Sequence, residues 1–168
     1  MSKIGLREVK LINWYGFINE NIPLSENMTL ITGENESGKS TILDAIKYAY
    51  TGDYKFNEAT SKNNTGTGKR NLVSYTRCLL DPSAGIYARP ADKMPSVFTH
   101  IALEYYDEIN QNSFVLGVVL ETAAAGIKTS EWYAAEKKTL KDLDFTYEGS
   151  FDPVFEDVTL QLDTNWRL

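Results

Sequence analysis

Hydrophobic and polar positions alternate over the first part of the chain in a way that predicts three strands. Apolar residues are interleaved with charged ones over residues 4–12, and a similar pattern returns over 17–24, which indicates two strands paired across the Asn13–Gly16 turn. Met28–Thr32 is a short apolar run between turn residues. It predicts a third strand, buried in the core.

One amphipathic helix follows the third predicted strand. Apolar residues recur at helical spacing from Ile42 to Tyr50, and Gly52 stands just beyond them, where a left-handed residue commonly ends a helix. A glycine-containing loop, Gly33–Ser40, lies between strand and helix. The order strand, loop, helix is typical of an α/β fold.

The rest of the chain divides into a polar segment and a β-rich part. Residues 53–95 carry seven Lys or Arg against four Asp or Glu, a local charge of +3, and few apolar residues. This composition predicts a basic insertion on the domain surface, with a short helix near Asn71–Arg77. Strand patterns follow at Val97–Tyr106 and Ser113–Thr122, and weaker ones at 131–135, 144–147 and 157–162.

Composition narrows the class of protein. The 168 residues, 42% hydrophobic and 24% charged, suit a single soluble domain over residues 1–168. A net charge of −6 argues against a wholly basic nucleic-acid coat protein. The lone cysteine, Cys78, cannot form an internal disulfide and is expected to be inert. No membrane-length apolar run or signal-peptide pattern occurs, so we expect a cytoplasmic protein, with nucleoid association as an option.

The loop Gly33–Ser40 fits the Walker A pattern, in which two glycines separated by four residues precede Lys and Ser. The glycines permit a close approach, so that successive N–H groups surround a phosphate, and the following helix adds its N-terminal dipole. We expect Lys39 to bind the β- and γ-phosphates, Ser40 to bind Mg²⁺, and Thr41 to reach the α-phosphate. The predicted ligand is a nucleoside triphosphate, foremost Mg-ATP.

Two other stretches imitate nucleotide-site motifs. Gly66–Arg70 contains Gly-Lys, but Arg70 stands where the metal-binding Ser or Thr belongs, which indicates a basic loop. Val118–Glu121 ends an apolar run in an acid, as a Walker B strand does, but it lacks the preceding Asp, and a hairpin explains it better. We find no convincing Walker B pair of Asp and Glu at the end of an apolar strand and no Leu-Ser-Gly-Gly-type signature, so the sequence carries half of an ATPase site.

The stretch Leu6–Ile46, with its Asn13–Phe17 turn and Gly33–Thr41 loop, resembles the N-terminal half-head of SMC-like ATPases, a group that includes SMC, MukB, SbcC and RecF proteins. A further likeness, to the MukB-like subunit of Wadjet-type plasmid-defence condensins (JetC, also called MksB-like), is carried by Lys69–Arg77, Ile101–Glu108 and Phe114–Val119. The resemblance spans residues 4–120 and is weak beyond Glu131.

The resemblance implies an α/β P-loop NTPase lobe of ABC/SMC type, with a mixed sheet around the phosphate-loop helix and an antiparallel β portion. A coiled coil would lead to a C-terminal half-head with Walker B and signature motifs. Two heads would enclose two ATP molecules, and hydrolysis would drive DNA handling in condensation, plasmid defence or repair. The implied partners are therefore the C-terminal half-head, a second head, DNA and kleisin-like accessory subunits.

Residue by residue, the expected nucleotide contacts are Gly33, Asn35, Glu36, Ser37, Gly38, Lys39, Ser40 and Thr41. Glu36 departs from the usual loop glycine, and its carboxylate should point away from the phosphates. Gln161 is a better candidate than Gln111 for the family's Q-loop glutamine. Because no coiled coil or C-terminal half appears, we expect a fragment or a truncated product.

Several side chains have two readings. Lys62, Lys69, Arg70 and Arg77 either contact DNA backbone phosphates or belong to a solvated loop, and Arg70 or Arg77 alternatively serves as an arginine finger. Asn13 and Trp14 are candidates to flank the adenine. For Trp14, packing in the core is an equal alternative. His100, the sole histidine, is expected to be structural.

Three functions compete. The first is the ATP-binding half of an SMC-like ATPase that acts on DNA. The second is a stand-alone nucleotide-binding or interaction module without hydrolysis, which the missing Walker B motif favours. The third, a small nucleoside-phosphate kinase, is disfavoured by the β-rich remainder. We expect negligible ATPase activity from the isolated chain.

Overall fold

The computed structural model describes residues 3–34, 37–53, 71–143, 145–147 and 158–160. The first elements are strands β1 (Ile4–Trp14) and β2 (Phe17–Pro23), helix α1 (Lys39–Thr51) and helix α2 (Leu72–Thr76). They are followed by β3 (Leu79–Asp81), β4 (Ile86–Tyr87), β5 (Val97–Asp107), β6 (Asn112–Ala123), β7 (Gly126–Glu136), a 3-10 turn (Leu140–Asp142), β8 (Phe145–Tyr147) and β9 (Val158–Leu160).

Five strands form the main sheet in the order β2-β1-β5-β6-β7, and each neighbouring pair is antiparallel. β3 pairs with β4, and β8 with β9, in two separate hairpins. The predicted α/β class and antiparallel portion are confirmed. The predicted mixed sheet is wrong for the described residues, because turn-length connections join most neighbouring strands and such connections impose antiparallel pairing.

Alternation along the strands gives the sheet two buried faces. Helix α1 packs on the first face through Ala45 and Tyr48, against Val9, Leu11, Ile101, Leu103 and Val118. The 3-10 turn covers the second face, where Leu140 and Leu143 pack on Ala102, Val115, Tyr133 and Ala135. Glycine is needed at position 117 on this face, because a Cβ there would collide with the Tyr133 ring.

The segment Met28–Thr32 corrects the sequence prediction of a buried strand. It has no regular structure, and Met28 and Leu30 are 78% and 77% exposed. A strand requires a neighbour to satisfy its backbone N–H and C=O groups, and no described strand pairs with this segment. The apolar pattern is strand-like, but the partner that would bury it is not among the described elements.

The described part of the predicted basic insertion, residues 71–95, is partly built into the packed domain. Arg77 and Arg89 are 4% and 0% exposed. Arg77 donates to the carbonyl oxygens of Arg89, Met94, Pro95 and Thr122, and Arg89 donates to those of Tyr15 and Thr76. Main-chain carbonyls thus solvate two buried guanidinium groups, which charge counting alone does not predict. No helix in this or any other described segment has the length and apolar character to cross a membrane.

Candidate nucleotide-binding site

The loop enters α1 through Gly38, which has φ 92° and ψ 6°. This left-handed conformation favours glycine, and a Cβ at position 38 would lie 3.2 Å from Cζ of Phe17. At the start of the loop, a Cβ on Gly33 would collide with the hydroxyl of Ser37. Both glycines of the predicted pattern therefore occupy positions where a side chain would disturb the loop.

Lys39, the first residue of α1, folds its side chain back over the loop. Its Nζ donates hydrogen bonds of 2.5 Å to the carbonyl oxygens of Gly33 and Glu34, and it lies 3.3 Å from Oγ of Ser37. Three loop oxygens thus hold the ammonium group at the helix N-terminus. A positive charge beside the N–H groups of a first helical turn is suited to binding an anion.

Ser40 and Thr41 share the first turn of α1 but differ in exposure. Ser40 is exposed and is accessible for the predicted metal contact. Thr41 is 6% exposed, and its carbonyl accepts a hydrogen bond from the Trp14 indole. The first backbone bond of the helix runs from Ile42 N to the Gly38 carbonyl, so the N–H groups before it have no acceptor further back in the helix. The contacts of Ser40 with Mg²⁺ and of Thr41 with the α-phosphate stay predictions.

The donor set suits a nucleoside triphosphate with a divalent cation. The glycine-lined loop and the Lys39 ammonium match phosphate oxygens, and an exposed serine hydroxyl at a helix start matches Mg²⁺. Asn35 and Glu36, which the sequence also predicts to contact the nucleotide, lie outside the described residues.

Two buried polar contacts fix α1 to its surroundings. Nε1 of Trp14 lies 2.9 Å from the carbonyl oxygen of Thr41, and the Tyr75 hydroxyl donates to Oδ2 of Asp44. The Trp14 and Tyr75 rings are 4.6 Å apart, so the end of β1, α1 and α2 meet at one place. Sequence reasoning missed Asp44 and Tyr75. The sequence signal that could have revealed Asp44 was the position of its carboxylate beside Ala45, on the apolar face of the helix.

The residues considered as adenine neighbours belong to the core. Trp14 and Asn13 are both 0% exposed. The side-chain Nδ2 of Asn13 donates to the main-chain carbonyl of Phe98, and the main-chain carbonyl of Asn13 accepts from the Thr99 hydroxyl. Packing is therefore the correct reading for Trp14. The exposed aromatic of this turn is Tyr15, 38% exposed with φ 50°, which sequence reasoning did not single out.

Glu121, the candidate Walker B acid, has a structural environment. Its carboxylate accepts hydrogen bonds from Oγ of Ser96 at 2.7 Å and from Nζ of Lys128 at 3.0 Å. Both contacts lower the pKa of the Glu121 carboxyl, and the hydrogen bond from Ser96 has the larger effect. Gln111, the poorer Q-loop candidate, is exposed at the end of the β5–β6 turn with φ 49°. Neither residue acquires a nucleotide contact from this placement.

Arg77 corrects the prediction of a DNA-contacting or finger arginine. Its buried guanidinium donates to four carbonyl groups inside the domain, which leaves it inaccessible to a phosphate in this structure. Lys62, Lys69, Arg70 and Gln161 lie outside the described residues.

His100 and Cys78 are buried, as their predicted structural roles require. Nε2 of His100 lies 2.5 Å from the Tyr133 hydroxyl. Burial, and secondarily the charge of Lys10, lowers the pKa of His100 to about 3, so the ring stays neutral. Burial raises the pKa of the Cys78 thiol and keeps it protonated and unreactive.

Comparison with known proteins places the chain in a family. A family model described as an AAA domain matches residues 8–146, which include the loop, α1 and most of the main sheet. The DNA replication and repair protein RecF of Brucella abortus (strain 2308) is 32% identical over 51 residues, 30% of this chain and 13% of that protein. The RecF proteins of Brucella suis biovar 1 and Brucella melitensis biotype 1 match to the same extent. The match thus spans 13% of the length of these relatives.

Proposed function

We propose that this chain, which belongs to the AAA domain family, binds Mg-ATP as one part of an SMC/RecF-like ATPase. The observation that carries the proposal is the position of Lys39, whose Nζ is held against the loop carbonyls at the helix start that Gly38 shapes. Lys39 binds phosphate oxygens, the N–H groups of the first helical turn add to that contact, and the Ser40 hydroxyl binds the metal. The Mg²⁺ ion, when bound, offsets the phosphate charge.

Exposed apolar residues support a composite site. On α1, Leu43 and Tyr50 are 58% and 66% exposed, seven residues apart and so on one stripe of the helix, away from buried Ala45 and Tyr48. In the segment before the loop, Met28 and Leu30 are exposed two residues apart. Grouped exposed apolar side chains are common on surfaces that another domain covers. We propose that the C-terminal half of the same head, with its Walker B and signature motifs, covers both.

DNA is the proposed substrate of the complete ATPase. The matched relatives are DNA replication and repair proteins by name, and Lys62, Lys69 and Arg70 are the proposed phosphate contacts from the basic insertion. The finer proposal, a MukB-like subunit of a plasmid-defence condensin in the cytoplasm, with a second head and kleisin-like subunits, rests on the resemblance of Lys69–Arg77 and Phe114–Val119.

The alternative is a stand-alone nucleotide-binding module without hydrolysis. Both proposals require ATP binding, and they differ in whether a second half supplies the catalytic acid. The similarity to RecF proteins favours the composite ATPase, whereas the missing Walker B motif favours the stand-alone module.

Isothermal titration calorimetry of the 168-residue chain with Mg-ATP tests the first step. We expect Lys39→Ala to weaken binding at least tenfold, because the residue that neutralises the phosphates is lost. Lys47→Ala is the matched control: it removes the same charge from the same helix, where Lys47 is exposed and pairs with Asp53 at 3.4 Å. Absence of binding in the parent chain, or equal binding by Lys39→Ala, would refute the proposal.

Phosphate-release measurements address the composite site. The chain alone should show negligible ATPase activity, since a residue that positions the attacking water must come from the other half. Robust Mg²⁺-dependent turnover that disappears in Lys39→Ala would show that the chain contains a complete catalytic set, and the composite model would then be abandoned.

A further inference from the structure

Asp44 is a buried carboxylate on the phosphate-loop helix that takes no direct part in the proposed phosphate or metal contacts. It is 5% exposed and accepts a hydrogen bond from the hydroxyl of Tyr75, a residue of α2. Burying a carboxylate costs free energy unless hydrogen bonds compensate it. An apolar residue beside Ala45 would pack there without the free-energy cost of burying a carboxylate. The presence of Asp44 therefore indicates a role other than packing.

The Asp44–Tyr75 contact belongs to a larger attachment of α1. Trp14 lies against Tyr75 and donates to the Thr41 carbonyl. The backbone N–H of Tyr15 donates to the Tyr75 carbonyl at 2.7 Å, which ties α2 to the β1–β2 turn. The first two turns of α1 are thus held at Thr41 by Trp14 and at Asp44 by Tyr75.

Ser40 lies one helical turn before Asp44, about 6 Å along the axis. A helix transmits a displacement of one turn to the next. The Asp44–Tyr75 bond, together with the Trp14–Thr41 contact, therefore sets the height and rotation of the turn that carries the Ser40 hydroxyl. Lys39 has its own anchors, the carbonyls of Gly33 and Glu34, and these do not involve Asp44.

We propose that Asp44 and Tyr75 are positioning residues that place the Ser40 hydroxyl for the metal ion of the bound nucleotide. This inference rests on the proposed ATP-binding function and deepens it. The pair governs mainly the Mg²⁺-dependent part of ATP affinity. The short Ser40 side chain moves with the helical turn, whereas the ammonium at the end of the long Lys39 side chain is held by the carbonyls of Gly33 and Glu34.

The test compares ATP affinity in Mg²⁺ and in EDTA by calorimetry on the 168-residue chain. Tyr75→Phe removes only the hydroxyl and should reduce the gain in affinity from Mg²⁺ at least fivefold, with affinity in EDTA unchanged within about twofold. Asp44→Asn should act similarly, and the double variant should be no worse than the single ones, because the two residues act as one unit.

Tyr133→Phe is the matched control, since it deletes a buried, hydrogen-bonded tyrosine hydroxyl on the opposite face of the sheet. It should leave both affinities unchanged. An equal loss in Mg²⁺ and EDTA, no loss at all, or outright unfolding of Tyr75→Phe by circular dichroism would assign the pair to stability and overturn the inference. If the parent chain binds ATP in neither buffer, the proposed function itself fails, and the inference fails with it.

Discussion

The indole nitrogen of Trp14 donates a hydrogen bond of 2.9 Å to the main-chain carbonyl of Thr41, in the first turn of α1. Trp14 is 0% exposed and stacks near Tyr48, whose ring centroid lies 6.2 Å away. The last residue of β1 thus fixes the helix that carries the candidate nucleotide site. A residue of the domain core thus contacts the first turn of the helix that follows the loop Gly33–Ser40.

We expect Trp14→Phe to lower the free energy of unfolding by about 2 kcal/mol, because it removes this hydrogen bond and leaves a gap in a packed core. Trp132→Phe is the control and should cost less than about 1 kcal/mol, since Trp132 is 38% exposed. Urea denaturation followed by circular dichroism measures both. Equal losses in the two variants would contradict the central role of Trp14.

Gly38→Ala should weaken Mg-ATP binding at least tenfold. The new Cβ must adopt φ near 92° and approaches Phe17, so the backbone at the start of α1 has to move. Gly85→Ala separates this effect from the general cost of a left-handed alanine, about 1 kcal/mol. Gly85 has φ 64°, but a Cβ added there would meet nothing within 4 Å, so ATP binding should be unaffected. Similar binding by the two variants would show that the loop tolerates the change.

Arg77→Gln should destabilise the chain by about 3 kcal/mol, because four carbonyl groups lose a buried charged donor. Lys93→Gln removes an exposed positive charge from the same segment and should change stability by less than about 0.5 kcal/mol. Guanidinium chloride titrations report both values. A stable Arg77→Gln chain with weakened DNA binding would restore the DNA-contact role that the burial of Arg77 argues against.

The free energy of unfolding should depend on pH through His100, the sole histidine of the chain. The folded state lowers its pKa from 6.5 to about 3, so only the unfolded state takes up a proton as pH falls below 6.5. Stability is then complete above pH 6.5 and declines toward pH 3. Between pH 7.5 and 5.5 we expect a loss of about 1.4 kcal/mol. His100→Gln should flatten this dependence in urea titrations, and an unchanged slope would assign it to other groups.

The candidate site was predictable because its requirements are local. The predicted roles of Gly33, Gly38, Lys39 and Ser40 require only backbone angles, one charge and one hydroxyl within eight consecutive residues, so their spacing carries the information. The amphipathic period of α1 and the left-handed Gly52 at its end were likewise readable from neighbours three to seven residues apart. The same holds for β1, β5 and β6, whose patterns matched the strands observed.

Contacts between residues far apart in the sequence could not be predicted from such local patterns. Charge counting placed Arg77 on the surface, yet carbonyl groups as far along the chain as Thr122 enclose it. The apolar pattern of Met28–Thr32 indicated a strand, but a strand exists only with a neighbour to pair with. The Asp44–Tyr75 bond joins residues 31 positions apart. Local chemistry therefore sufficed for the two glycine positions and for the start of α1, whereas burial and anchoring depended on which distant groups folding brought together.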